Sequence, residues 1–234
     1  MTDSETTSRK RKAMRRKVRS KIDRQPMETV YGFRTIDTKD VSDLIEVCPE
    51  KVFVLDTETT GLSSSDDDVL ELSIINGLGN TVYSKRLEPW AESWDEAQRI
   101  HGISPEDVRG CPRLEEEAYD VTRLLAQGKA IVGYNVFFDI WFLNHAGVFL
   151  PNAPICDVMD EFSNFYGEWV DWADGGYGGF KWQKLTTAGR YYKVDTRGAH
   201  GSLKDCQITL EVLKKLSKEP FALRHRERPE EGEE

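Results

Sequence analysis

The run VFVLDTETTGL, residues 52–62, constrains the fold of this 234-residue chain more than any other stretch. An apolar segment ends in two acids one residue apart, Asp56 and Glu58, among threonines and before a glycine. Successive side chains of a strand point to opposite faces, so a strand here carries both carboxylates on one face. Turn chemistry is the ordinary explanation, because Asp, Thr and Gly all form turns. A pair of carboxylates on one face also suits a hard divalent cation.

Two later segments carry acids in similar places. In GYNVFFDIWFL, residues 133–143, Asp139 follows a predicted strand and opens a predicted helix, where the helix dipole favours an acid. In HGSLKD, residues 200–205, Ser202 and Asp205 fit a capping box at the start of a long apolar-periodic helix. Each segment therefore has an ordinary structural explanation of its own.

The three segments taken together favour a metal site. All of them place acids at the end of a strand or the start of a helix, and this edge is where open α/β sheets bind ligands. Four carboxylates converging on one point would repel one another unless cations neutralised them. Oxygen-only ligands favour Mg²⁺ or Mn²⁺. The predicted ligands are Asp56, Glu58, Asp139 and Asp205.

The remaining pattern predicts an α/β fold, a mixed sheet flanked by helices, in one domain over about residues 28–220. The spacing predicts a hairpin that turns at residues 77–80 and helices near 93–100 and 114–127. Strands are expected over 130–135 and 154–157, and a last helix over 202–218. The run VDWADGGYGGFKW contains a glycine-rich loop whose role the sequence does not reveal.

Charge divides the chain unevenly. Residues 1–24 hold ten Lys or Arg and three acids. The whole chain has 32 Lys or Arg and 41 acids, so 22 basic and 38 acidic residues remain after residue 24. We expect residues 1–27 to be a basic, disordered arm and residues 221–234 to be an acidic tail. The acidic body argues against broad electrostatic binding of nucleic acid unless bound cations reverse the local field.

Composition also bears on the compartment. The four cysteines are widely spread and contain no CxxC pair, so a zinc site or a disulfide framework is not expected. A reducing, cytoplasmic location is the simpler interpretation. No apolar stretch is long enough to span a bilayer, so no membrane partner is expected.

With these residues in view, the chain resembles the DEDDh family of 3′→5′ exonucleases, in particular the proofreading epsilon subunits of bacterial DNA polymerase III and their stand-alone relatives. The motifs that carry the resemblance are DTETTG, NVFFD and HGSLKD, and RIHGISPEDVRGCP is similar to a further family segment. The resemblance covers about residues 50–217. It implies a ribonuclease H-like fold with a mixed five-stranded sheet flanked by helices.

The resemblance implies a two-metal hydrolysis of the terminal phosphodiester at a 3′ end, which releases a nucleoside 5′-monophosphate. Asp56 would bridge both Mg²⁺ or Mn²⁺ ions, Glu58 and Asp205 would complete the shell of the first, and Asp139 would hold the second. His200 would be the general base, since an imidazole accepts a proton near neutral pH.

The same resemblance nominates residues for the 3′-terminal nucleotide. They are Thr57, Gly61, Leu62, Asn135 and Phe138, with Leu62 as an apolar wedge against the last base. The expected partner is single-stranded nucleic acid, DNA rather than RNA, and a separate polymerase chain if the protein proofreads. Two alternatives stay open: an RNA 3′-exonuclease of the ribonuclease T or oligoribonuclease type, and a silent binding module on the same fold.

Some residues depart from the family pattern or compete with it. Tyr134 and Val136 stand where many relatives have His and Ala, which bears on substrate fit. Tyr191 and Asp195 have the Tyr-x-x-x-Asp spacing of the sister DEDDy family. We favour His200 and Asp205 over that pair, because Asp205 opens a long helix whereas Asp195 runs into a turn-rich stretch.

Overall fold

The computed structural model describes residues 33–171 and 178–226. The predicted basic arm, the acidic end of the tail (227–234) and most of the glycine-rich loop lie outside the described residues.

A mixed five-stranded sheet forms the centre of the molecule and confirms the predicted fold class. Its strands stand in the order β3-β2-β1-β4-β5, with β2 antiparallel to β1 and β3, and β4 parallel to β1 and β5. The strands are β1 (Val52–Thr59), β2 (Val69–Asn76), β3 (Thr81–Arg86), β4 (Ala130–Gly133) and β5 (Ile155–Asp157). The open edge of β5 is extended by Arg34 and Ile36, whose main chain bonds to Ile155.

Nine helices are described around the sheet. They are α1 (Thr38–Val47), α2 (Asp95–His101), α3 (Pro105–Val108), α4 (Leu114–Leu125), α5 (Val136–His145), α6 (Val158–Tyr166), α7 (Leu185–Tyr191), α8 (Ser202–Leu216) and α9 (Phe221–Arg224). A separate two-stranded hairpin, β6 (Trp169–Asp171) and β7 (Gly178–Phe180), lies between α6 and α7. In the described part of the chain, none of the helices has the length and apolar character needed to cross a membrane.

Alternation along β1 explains how the sheet supports two cores. Phe53 and Leu55 point into a core shared with α4 and α5. Val52 and Val54 point the other way, into a core shared with α6, α7 and α8. Continuing the same alternation, Asp56 and Glu58 fall on the α8 face at the carboxyl end of the strand. The fold therefore directs the two acids toward the start of α8.

Several elements agree with the sequence prediction, and others were missed, among them the helices α1, α3 and α7. The 69–86 hairpin, the helices near 93–100 and 114–127 and the long last helix are all confirmed. The β6–β7 hairpin was not predicted, because its strands are three residues long and one is glycine-rich. Nor was α9, whose Arg224 is buried against Glu161 of α6.

Candidate active site

Three carboxylates meet where β1 ends and α8 begins. One oxygen from each of Asp56, Glu58 and Asp205 can be chosen so that all lie within 4.8 Å of one another. Asp56 and Glu58 come from one face of β1, and Asp205 from the first turns of α8, which packs across β1 and β2. All three side chains are partly exposed, so a ligand from solvent can reach them.

The three acids resist ionisation. Burial is the largest cause, and it raises the pKa of Glu58 to about 8, helped by the charges of Asp205 and Glu71. Burial and the neighbouring Asp139 raise the pKa of Asp56 well above its usual range, and burial raises that of Asp205. Among the described residues, no Lys or Arg forms a salt bridge with any of the three. Such an oxygen-only set, crowded and uncompensated, fits a hard divalent cation.

Asp139 approaches from the opposite side of the sheet. It lies in the first turn of α5 and is 3% exposed. Its Oδ1 accepts hydrogen bonds from the Thr57 amide at 2.9 Å and the Thr57 hydroxyl at 2.6 Å. Burial raises its pKa to about 7, although the two Thr57 bonds act against that rise. Asp139 lies outside the three-acid group, yet its charge is the largest of those acting on Asp56.

His200 lies in the loop just before α8. Its amide donates to both carboxylate oxygens of Asp205, at 3.3 and 3.2 Å, and its side chain is exposed. Its φ of 73° is in the left-handed region, which a residue with a Cβ seldom adopts. The main chain thus adopts an unfavourable conformation at the point where the His200 amide bonds to Asp205.

A second imidazole, His101, lies on the same side of the molecule. Burial lowers its pKa, and the charge of His200 acts in the same direction, which indicates that the two rings are neighbours. The His101 Nδ1 accepts a hydrogen bond from the Ile103 amide at 3.0 Å. The family-like segment around residue 101 therefore borders the candidate site.

Glu71 is a further acid at the site that sequence reasoning missed. It lies on β2 directly opposite Glu58. Its Oε1 accepts hydrogen bonds from the Ser202 amide at 3.0 Å and the Ser202 hydroxyl at 2.8 Å. Ser202 therefore makes no capping box with Asp205; Gly201 is the N-cap of α8 instead. Glu71 ties the start of α8, and with it Asp205, to the sheet.

Asp157, at the end of β5, was also missed. Its carboxylate accepts hydrogen bonds from the amides of Asn135 and Val136 at 2.9 and 3.1 Å, and from that of Met159 at 3.0 Å. These bonds fix the sharp entry into α5, where Asn135 has a φ of 63°. A strand-end acid in 154–157 was the available signal, but it belonged to no motif. Asp157 thus fixes the start of α5, the helix that carries Asp139.

The residues nominated for the nucleotide have different surroundings. Leu62 is 88% exposed, beyond the end of β1, and makes a free apolar projection. Gly61 lies under the Asp67 carboxylate, which leaves no room for a Cβ. Phe138 is partly buried and packs on Phe142 with ring centroids 4.8 Å apart. The remaining two, Thr57 and Asn135, donate hydrogen bonds to the carboxylates of Asp139 and Asp157.

The competing pair, Tyr191 and Asp195, lies apart from the acids. Tyr191 packs edge-on against Phe162 and Phe165. Asp195 is exposed and paired with Arg197, whose hydrogen bonds lower the Asp195 pKa. The structure thus brings Asp205, and not Asp195, to Asp56 and Glu58.

A groove opens from the acids along the face of the molecule that carries α7. It has a volume of about 690 Å³, and Asp56, Asp205 and His200 are among the residues that line it. That volume lies within the range of pockets that hold small ligands. Tyr134 lines it and donates a 2.7 Å hydrogen bond to the Gln183 carbonyl. Tyr134, which stands where many relatives have His, therefore ties two lining segments of the groove together.

Comparison with known sequences places this arrangement in a family. The profile of the exonuclease family (RNase_T) matches residues 53–213. The DNA polymerase III subunit epsilon of Rickettsia felis is 32% identical over 171 residues, which cover 70% of this chain and 72% of that protein. An uncharacterized exonuclease of Escherichia phage 186 is 28% identical over 180 residues, covering 72% of this chain and 89% of the phage protein.

Solved structures share the fold. Exonuclease I superposes with a TM-score of 0.59 at 19% identity; the match covers 74% of this chain but 42% of exonuclease I. Exonuclease X, solved in complex with a 5′-overhanging duplex DNA, has a TM-score of 0.52 at 20% identity, covering 70% and 90% of the two chains. These likenesses confirm the ribonuclease H-like fold. The profile match and the two sequence relatives show that the chain belongs to the DEDDh branch of the RNase_T exonuclease family and is a 3′→5′ exonuclease.

Proposed function

We propose that the protein removes nucleotides one at a time from the 3′ end of single-stranded DNA and releases nucleoside 5′-monophosphates. The observation that carries the proposal is the convergence of Asp56, Glu58 and Asp205 within 4.8 Å, at the mouth of a groove that also presents His200. Because the acids are uncompensated in the metal-free protein, they are suited to hold cations rather than to stabilise the fold.

Two divalent cations, Mg²⁺ or Mn²⁺, are the proposed cofactors. Asp56, Glu58 and Asp205 would hold one, and Asp56 with Asp139 the other. Because Oδ1 of Asp139 accepts both Thr57 bonds, Oδ2 is the oxygen left for a cation. Bound cations would neutralise the negative charge of the phosphodiester and the charge that develops on the departing 3′ oxygen.

His200 is the proposed general base. Its exposed imidazole opens into the groove beside Asp56 and Asp205, so it can take a proton from water that attacks the terminal phosphorus. The hydrogen bond from its own amide to Asp205 holds the loop in place.

The 3′-terminal nucleotide would lie at the end of β1. Leu62 projects into solvent there and can wedge against the last base, while Gly61 lets the chain pass close to Asp67. Phe138 would form part of the wall, and Thr57 and Asn135 would act through the main chain. An unstacked single strand fits such a site at a lower energetic cost than a paired end.

DNA is the proposed substrate because the epsilon relative is a subunit of a DNA polymerase and exonuclease X was solved with DNA. A role in DNA replication or repair, a polymerase partner chain and a cytoplasmic location follow as predictions. An RNA substrate is the competing outcome.

The test is digestion of 5′-labelled single-stranded DNA and RNA of matched sequence, with Mg²⁺, with Mn²⁺ and with a chelator. We expect a metal-dependent ladder that shortens from the 3′ end, faster on DNA. His200→Ala should lower kcat about 10²- to 10⁴-fold, while Tyr191→Phe should leave it unchanged. Faster digestion of RNA would overturn the DNA assignment. Turnover lost in Tyr191→Phe but kept in His200→Ala would overturn the choice of general base.

A further inference from the structure

The groove wall that Trp182, Lys184 and Arg190 form differs in chemistry from the acids that line the same groove. All three side chains of this wall are exposed. Trp182 is 68% exposed, a large apolar area for a residue of that size. Neither Lys184 nor Arg190 forms a salt bridge within the described residues. The groove thus combines carboxylates with two cations and an exposed indole, in a chain of net charge −9.

These side chains extend from an anchored main chain. Gln183, between Trp182 and Lys184, is 8% exposed. Its amide donates to the Ser163 hydroxyl at 3.2 Å, and its carbonyl accepts the 2.7 Å bond from Tyr134. Its side-chain amide donates to Glu168 at 3.0 Å and to the Lys181 carbonyl at 3.1 Å. Because four hydrogen bonds fix this residue, its neighbours are displayed in a set direction and little order is lost on binding.

We propose that this wall is a binding site for the single strand upstream of its 3′ end, with Trp182 stacking on a base and Lys184 and Arg190 contacting phosphates. An exposed aromatic beside unpaired cations is the combination that single-strand binding surfaces use, because every base has a π-face and every linkage a charge. An acidic ligand of the protein type would gain from the cations but not from the indole. The inference rests on the proposed function, since the metal-binding acids of the groove would fix which strand end is held there.

The test compares substrates that do and do not reach the wall. Hydrolysis of a dinucleotide and of a 12-nucleotide single strand of DNA is measured with Mg²⁺ for the wild type, Trp182→Ala and Trp182→Phe. We expect Trp182→Ala to raise KM for the 12-mer at least about fivefold, with an unchanged kcat and unchanged dinucleotide kinetics. Trp182→Phe, which keeps a stacking face, should recover most of the loss. Trp141→Ala is the matched control, because Trp141 is also exposed, at 55%, but lies on α5 outside the groove.

The cations are tested by salt dependence. For Lys184→Ala and Arg190→Ala, the slope of log affinity for the 12-mer against log salt should fall by about 0.7 for each phosphate that the variant no longer neutralises. Lys215→Ala is the control, since Lys215 lies ten residues beyond Asp205 on α8, about 15 Å along the helix.

The outcomes separate the two proposals. Equal effects of Trp182→Ala on the dinucleotide and the 12-mer, or no effect on either, would overturn the upstream site while the nuclease assignment stands. Failure of the wild type to hydrolyse either substrate would overturn the proposed function itself. The RNA 12-mer could instead bind more tightly than the DNA 12-mer, with Trp182→Ala weakening that binding. This result would support the wall as a binding site and identify RNA as its ligand.

Discussion

Glu161 and Asp37, beneath α9, face a buried arginine, whereas Asp56 and Glu58, at the end of β1, face no cation among the described residues. Glu161 is 6% exposed, and it accepts hydrogen bonds from the Thr38 amide and hydroxyl, both at 2.7 Å, and from Arg224. Burial would raise the pKa of Asp37, but the Asp40 amide and Arg224 outweigh it and hold that pKa below its usual range.

The acids at the end of β1 behave in the opposite way. The pKa of Glu58 is raised to about 8 and that of Asp139 to about 7, first of all by burial. Asp139, at 3% exposure, is no more accessible than Glu161, so depth alone does not separate the two clusters. The difference lies in the cation, which is built into the chain in one cluster and, on the proposed function, comes from solvent in the other. Crowded acids without a cation of their own indicate where a fold gives up stability for function.

Removing one acid from the uncompensated cluster should have the largest effect. Asp56→Asn keeps the shape of the side chain but removes a cation ligand, and we expect kcat to fall about 10³-fold or more. Because it also removes a repelling charge, the free energy of unfolding of the metal-free protein should not fall. Nuclease assays and urea denaturation without metal measure the two quantities.

Asp195→Asn is the matched control for that variant. Asp195 is exposed and already paired with Arg197, so its neutralisation should leave turnover intact. Full turnover in Asp56→Asn, or its loss in Asp195→Asn, would contradict the assignment of the metal centre.

Local signals in the sequence predicted the acids that a strand or helix presents by itself. Asp56 and Glu58 follow from alternation along one strand, and Asp139 and Asp205 from helix starts next to apolar segments. These positions depend on a few consecutive residues, so the hydrophobic periodicity of a short segment is enough to predict them. A mixed sheet flanked by helices followed in the same way from short apolar runs, and the family resemblance supplied the number of five strands.

Long-range contacts were beyond such reasoning. In the sequence, Glu71 is one of several polar residues that alternate with apolar ones in a hairpin strand. Its importance comes from two tertiary contacts: it pairs with Glu58 in the β1–β2 ladder, and it accepts a hydrogen bond from Ser202. The local pattern at Ser202 even favoured a capping box that the tertiary bond to Glu71 replaces. The pairing of Arg224 with Glu161 joins residues 63 apart in sequence, in a segment whose composition resembles a tail.

Breaking the compensated cluster should give the next largest effect. Arg224→Met keeps the length of the side chain but leaves Glu161 buried without its cation, and we expect a loss of about 3–5 kcal/mol in the free energy of unfolding. Turnover per folded molecule should be unchanged, because the cluster lies under α9 rather than at the groove. Adding Glu161→Gln to Arg224→Met should recover part of the loss. A loss below about 1 kcal/mol, or no recovery, would mean that a built-in cation does not distinguish this cluster from the acids of β1.

The uncompensated cluster should also respond to pH and metal. Unfolded Asp and Glu side chains lose their protons near pH ~4, whereas folded Asp139 and Glu58 keep theirs to about 7 and 8. Between these limits the folded state binds more protons, so the metal-free protein should lose stability as pH rises from 5 to 8.

Saturating Mg²⁺ should reverse that loss at pH 8. At a hundred times the dissociation constant, a bound ion stabilises by about 2.7 kcal/mol, or roughly 5–10 °C in Tm for a domain of this size. At pH 5 the gain should be smaller, because protons compete for the same oxygens. Thermal melts of the wild type and of Asp56→Asn, with and without Mg²⁺, measure this gain as a change in Tm. An equal rise in Tm in both proteins would mean that the ion binds elsewhere.

The smallest expected effect concerns the backbone beside the acids. Within the described residues, three non-glycine residues have a positive φ, and two of them, Asn135 and His200, belong to the candidate site. At position 200 a glycine removes the clash of the Cβ, worth about 1–2 kcal/mol, but adds freedom to the unfolded chain, worth about 0.4–1 kcal/mol. We therefore expect His200→Gly to be more stable than His200→Ala by up to about 1.6 kcal/mol, while both have lost turnover. Arg109, exposed and with a φ of −64°, is the control, because there the same two substitutions should reverse the order. If alanine is the more stable replacement at both positions, the left-handed turn at His200 stores no strain, and the uncompensated charges alone distinguish the site from the rest of the fold.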